Sequence, residues 1–342
     1  MSKHFCVLLL SALAALLPAR LPAADPAPAP AQAADSGDSA SLLERKLLTV
    51  ARDGEKLFSD MEAGSLTQED FERKVLQISY RYDELILRDP HNVNTLILYG
   101  KFLRRVGQND VANTMFIHAD QLSPDLAVVK QQLGNYLAEQ GNYAGALVLY
   151  LKAVDLAPRE AVYHYGLGEL LATYRDKFVA DGAFTGTAID DQILAAFAKA
   201  QELDPTCKDF AFRHGEAYYD LGTPRWEEAL EEWTKVAARS DLSSYEKDAA
   251  RLHLARVNCE LGRKAEALAL LRDDVTPVLQ ATRARLLRRV SAANSAAEDR
   301  KNAEAILPGG QRPSDTSAAP PQDKSLPGGG VSSTTSADSS SR

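Results

Sequence analysis

Three cysteines, two tryptophans and three methionines in 342 residues exclude a disulfide-stapled fold and leave no Cys-x-x-Cys pair to hold a structural metal. Six histidines are present, yet no His-x-x-x-His occurs and no Gly-rich phosphate loop follows a strand pattern. The sequence therefore offers no catalytic residue, no metal ligand and no cofactor site. Positive charge is also in deficit, with a formal net charge of −8, which argues against generic nucleic-acid binding. Long apolar runs are absent except for one at the N-terminus.

That run, Phe5 to Leu17, follows Lys3 and precedes the small residues Ala23 and Ala24, the order expected of a secretory signal cleaved near Ala23/Ala24. It is shorter than the roughly 20 apolar residues of a spanning helix. Cys6 lies inside the run and is not placed for lipid attachment after a cleavage site. Loss of residues 1–23 removes Lys3 and Arg20 and no acid, taking the charge from −8 to −10. The expected location is exported, periplasmic or extracellular, and no integral membrane segment is expected in the mature chain. Cys207 and Cys259 then remain, and their different heights along stacked helices predict two free thiols.

Residues 24–40 are rich in Pro and Ala and read as a disordered spacer. Residues 307–342 lack an apolar core and read as a disordered tail. Between them lies a helical region, 41–306, with a strict interval. Pro90, Pro124 and Pro158 are spaced by 34 residues, as are Gly100, Gly134 and Gly168. Ala112 and Ala146, Phe116 and Tyr150, and Ala119 and Ala153 keep the same interval. In each unit a small residue lets two helices cross closely, an aromatic fills the gap and a proline stops the second helix.

Small residues in register with aromatics and a terminal proline resemble the tetratricopeptide repeat (TPR) family. The resemblance covers about residues 41–275 and implies an all-α, right-handed α-solenoid of helix-turn-helix repeats. The expected units are a divergent pair at 41–90, regular repeats at 91–124 and 125–158, a stretched repeat at 159–205, and pairs at 206–241 and 242–275. A capping helix at 277–306 would cover the last apolar face. Gly168 to Gly215 spans 47 residues, 13 more than the period, and the surplus is placed at Arg175 to Asp191. Phe178 and Phe184 in that insertion favour folding back onto the solenoid over ligand contact.

His164 and His214 fall on packing positions and read as core or half-buried residues. Trp233 stands where Phe116 and Tyr150 stand and reads as core, and Trp226 as a staple at a helix start. Arg283, Arg285, Arg288 and Arg289 form a basic cluster, read either as a solvated face paired with the acidic array or as a contact for an anionic surface.

In TPR proteins the first helices of the pairs line a concave groove that holds a peptide or partner helix. Helical spacing projects Asn94, Ile97, Lys101, Arg104 and Arg105 into that groove, followed by Gln131 and Asn135, then Tyr165 and Glu169, then Phe212, Glu216 and Tyr219. The groove so drawn runs from cationic through amide to aromatic and acidic, and its far end suits a Lys- or Arg-bearing peptide. A Lys/Asn/Lys/Arg carboxylate clamp known in the family is not reproduced. Asn135 matches its asparagine, but Ile97 and Val162 stand where lysines belong and Gly166 where the arginine belongs.

The resulting expectation is a non-enzymatic, exported scaffold whose partner is a protein or peptide, with an envelope component as one candidate. The alternatives are an envelope- or carbohydrate-binding protein that stacks ligands on the groove aromatics, and an enzyme acting through the 175–191 insertion.

Overall fold

The computed structural model describes residues 34–292, and every regular element among them is helical. The signal at 1–23, most of the spacer, the end of the capping helix and the tail at 307–342 lie outside the described residues. Helix α1 spans Ala34–Glu62 and α2 spans Gln68–Arg88. The pairs α3 (Val93–Arg105) with α4 (Asn109–Leu122) and α5 (Ala127–Glu139) with α6 (Tyr143–Leu156) follow. The stretched unit holds α7 (Ala161–Thr173), α8 (Arg175–Ala180) and α9 (Gly186–Leu203). Then come α10 (Lys208–Ala217), α11 (Trp226–Ala237), α12 (Ser244–Glu260) and α13 (Lys264–Leu270). A short 3-10 turn, Pro277–Leu279, leads into α14, described over 280–292. Packing runs mainly between chain neighbours, the order of a solenoid.

The repeat interval has a direct structural cause. A Cβ added at Gly100 would stand 2.8 Å from the Phe116 ring, at Gly134 2.9 Å from Tyr150, at Gly168 2.8 Å from Phe197 and at Gly215 2.7 Å from Trp233. In four successive units, then, an aromatic of the second helix lies flat on a glycine of the first, and any larger residue would push the helices apart. Phe116, Phe197 and Trp233 are fully buried by this contact. Gly107 and Gly141, at φ 82° and 79°, end α3 and α5 in the left-handed conformation that L side chains avoid. Asn92, Asn142 and Thr185 cap helix starts through their side chains, and Ser243 with Glu246 forms a capping box at α12.

Several boundaries differ from the sequence reading. Helix α1 begins at Ala34, inside the range expected to be spacer. No proline stands between Pro30 and Pro90, so nothing in this Ala-containing stretch forbids helix. The capping helix, expected from 277, begins as a 3-10 turn at Pro277–Leu279 and is α-helical from 280.

The insertion folds back as expected. Phe178 is buried, edge-on to Tyr143 at 5.2 Å and to Phe184 at 5.8 Å. Its anchor is Asp190, which accepts from Arg175 Nε at 2.6 Å and from the backbone N–H groups of Gly222 and Thr223 at 3.1 and 3.4 Å. One buried carboxylate thus ties α8, α9 and the turn of the next pair together. Cys207, just before α10, and Cys259, late in α12, are both free thiols, as their different heights implied.

Candidate functional site

First helices of successive pairs share one face of the array, and the residues assigned to the groove divide there into three groups. Near the N-terminus Asn94 is exposed, but Ile97 is 8% exposed and belongs to the core, contrary to its assignment as a groove residue. The cause is α1, which packs against α3 as well as α2 and covers the strip that the repeat pattern leaves open. Arg105 pairs with Glu55 of α1 at 2.7 Å and stacks on the Phe58 ring at 3.7 Å. Arg104 pairs with Glu139 of α5. Burial pushes the Lys101 amine below its ordinary pKa, with Glu55 opposing.

In the middle, the two amides serve packing. A Cβ at Gly166 would stand 2.6 Å from Gln131 Nε2, so the amide occupies the space that glycine leaves. Asn135 accepts a hydrogen bond from the Tyr150 hydroxyl.

The third group borders an open cleft of about 880 Å³, lined by α7, α10, α12 and α14. Tyr165, Phe212 and Glu216 line it, whereas Glu169 and Tyr219 do not. Tyr165 packs beside Phe197 at 5.6 Å and Phe210 at 5.1 Å. Phe212 stands edge-on to Trp233 at 5.6 Å. Each ring is anchored from behind, by a second-helix aromatic and not by the 175–191 insertion, and remains half-buried. Tyr219 lies deeper. Its ring is covered by the Arg256 guanidinium at 3.7 Å, and its hydroxyl shares a hydrogen bond with His253 Nδ1 at 3.1 Å. His253 in turn stacks on Trp233 at 3.9 Å with an interplanar angle of 3°. Burial in this stack, aided by the Arg256 charge, pushes the His253 imidazole down to about 4 and keeps it neutral. Burial raises the Tyr165 and Tyr219 phenols, so both rings stay protonated donors.

The repeated acids are not free. Glu169 is bound by Arg213 at 2.6 Å, and Arg213 also holds Asp220 at 3.0 Å. Burial pushes the Glu216 carboxyl up, with Arg213 opposing. The acidic character read from sequence is therefore offset by arginines that the spacing argument passed over.

His253 stands 34 residues after Tyr219, and Glu246 stands 34 after Phe212. Carrying the interval one helix further would have found both. The basic cluster also divides. Arg283 donates to the Leu271 and Arg272 carbonyls at the end of α13, and Arg289 pairs with Glu260 at 2.8 Å, while Arg285 faces the cleft. A second opening of about 730 Å³ lies between α1 and α2. Asp53 and Asp60 on its wall are paired with Arg81 and Lys56.

Among the described residues no group of three or more His, Cys, Asp or Glu could hold a metal ion, and no helix is long and apolar enough to cross a membrane. Core histidine is the outcome for His214, which is buried with Nδ1 donating to Gln201 at 2.7 Å.

Residues 126–159 match the family model of a tetratricopeptide repeat. That segment is a tetratricopeptide repeat. No curated protein matches the sequence. Solved structures of similar fold include YrrB, a TPR protein with an unusual peptide-binding site, at 16% identity over 63% of this chain and 97% of that one with a TM-score of 0.45. The type IV pilus biogenesis factor PilW is 14% identical over 68% of this chain and 93% of its own, with a TM-score of 0.48. Pseudomonas aeruginosa PilF is 14% identical over 67% and 90%, with a TM-score of 0.47. The matched segment coincides with α5 and α6, the pair in which Gly134, Ala146 and Tyr150 keep the repeat register.

Proposed function

We propose that this protein is an exported, non-enzymatic scaffold that binds a segment of a partner protein in the cleft formed by α7, α10, α12 and α14. The supporting observation is the cleft itself: about 880 Å³ of open space bordered by aromatic rings anchored from behind. Rings fixed in this way give up little side-chain entropy when a ligand covers them, so they suit the role of binding hot spots. Residues Asn94, Lys101, Arg104, Arg105, Gln131 and Asn135 then support the array and lie outside the binding surface. Export rests on the apolar run after Lys3 and the small residues at Ala23 and Ala24.

Affinity capture from an envelope extract tests the reading, with wild-type protein compared to a Tyr165→Ala/Phe212→Ala variant. Wild type should retain a protein that the variant loses at an unchanged melting temperature. Retention of a glycan without protein would favour carbohydrate binding instead. Mass analysis of the N-terminus of the purified chain tests export, since a mature start near Ala24 is expected.

A further inference from the structure

Most arginines on the shared face are paired with an acid of another helix. Arg104 pairs with Glu139, Arg105 with Glu55, Lys208 with Glu246, Arg213 with Glu169 and Arg289 with Glu260, each across two helices. These pairs hold neighbouring helices in register, and their charges are already balanced. Among the described residues Arg256 and Arg285 form no ion pair, and both line the open cleft.

Arg256 is held rigidly, its guanidinium lying on the Tyr219 ring at 3.7 Å, while Arg285 is exposed on α14. Beside them the wall is apolar, with Phe212, Leu279 and Leu286. The acids Asp209 and Glu216 of α10 line the same cleft, Glu216 close enough to Arg256 for the two charges to interact. They would repel a dianion such as a phosphate group. A planar, singly charged carboxylate matches a guanidinium through two parallel hydrogen bonds and meets less of that repulsion.

We infer that Arg256 and Arg285 form an anion subsite that takes the side-chain carboxylate of an aspartate or glutamate in the bound segment, with the adjacent apolar side chain lying on Phe212 and Leu286. The inference rests on the reading that this cleft holds a protein segment. It reverses the preference for a cationic ligand that the repeated acids suggested, because Glu169 is consumed by Arg213 while Arg256 and Arg285 are not.

A displayed library of ten-residue random peptides, fused at their C-termini so that no free terminal carboxylate is offered, provides the test. Panning on the full chain should enrich Asp or Glu next to an aromatic or long aliphatic residue. The enriched peptide, synthesised with an amidated C-terminus and a fluorophore, should bind an Arg256→Glu/Arg285→Glu variant on the order of tenfold more weakly or worse. Exchanging its acids for lysine should restore binding to that variant. Arg285→Glu alone should melt as wild type and show part of the loss in binding, whereas Arg256→Glu, which also gives up its contact with the Tyr219 ring, should melt slightly lower. Enrichment of basic or uncharged peptides, or acidic peptides that bind both proteins equally, overturns the subsite. If those peptides still depend on Tyr165 and Phe212, the cleft reading survives that result; if nothing is enriched, both fail.

Discussion

The two ends of the first-helix face are built from the same repeat and put to different use. At the N-terminal end α1 lies across α3, buries Ile97 and supplies Glu55 to Arg105, so a strip rich in basic residues becomes an internal seam. At the C-terminal end no such helix crosses the face among the described residues, and Tyr165, Phe212 and Arg256 border open space. The glycine–aromatic contacts beneath are alike at Gly100 and Gly215. Repeat register thus determines where helices cross, while the ends of the array determine which stretch of the shared face stays accessible.

The contrast is open to direct test. The largest effect is expected where the two ends are alike. Trp233→Ala and Phe116→Ala each remove a fully buried ring from its glycine seat, and each should cost about 3–5 kcal/mol in denaturant unfolding. A small loss at either site would mean that the seat is not a shared element. Gly134→Leu follows, since its side chain must displace the Tyr150 ring; it should cost more than about 2 kcal/mol. The exposed Gln140→Leu should cost little, and equal melting of these two variants would refute the helix crossing described here.

A pH effect should separate the two ends next. The folded chain holds His253 at about 4, below its ordinary 6.5, so the unfolded chain binds the proton first as pH falls. The stabilisation from neutral His253 is therefore complete above pH 6.5 and is lost progressively towards pH 4, amounting to about 3 kcal/mol. In His253→Phe the stability profile should flatten over that window, whereas a slope identical to wild type would exclude His253 as its source. The smallest effect is the most diagnostic of the comparison. Arg104→Met breaks a pair shielded between α3 and α5 and should cost about 0.5–1.5 kcal/mol, whereas Arg285→Met should leave unfolding unchanged.

Much of the fold was legible because the repeat writes the same contact several times. Gly100, Gly134 and Gly168 announce helix crossings by their interval, and Ile78, Tyr82 and Leu85 announce the buried face of α2 by helical spacing. What lacked an interval was lost. Helix α1 has no regular counterpart, so nothing in sequence showed that it would lie on α3 and bury Ile97. Side-chain pairing was hidden for a related reason. Arg213 and Glu169 lie 44 residues apart, off the 34-residue register because the insertion intervenes. Arg256 and Arg285 share a site only because α12 and α14 border one cleft, which helical spacing within each segment does not encode.

Asp190 gives the array a mechanical character. A stack of helix pairs normally parts at any neighbouring seam with similar ease, because each pair touches only the next. Here one buried carboxylate grips the inserted helix, its own helix and the following turn, which makes one seam tougher than the rest. Pulled from its two ends in an optical trap, the chain should release α1 to α6 and the last pairs in early steps and keep 161–237 as the final cooperative unit. Asp190→Ala would remove that last plateau and leave the molecule to unravel as a series of like steps.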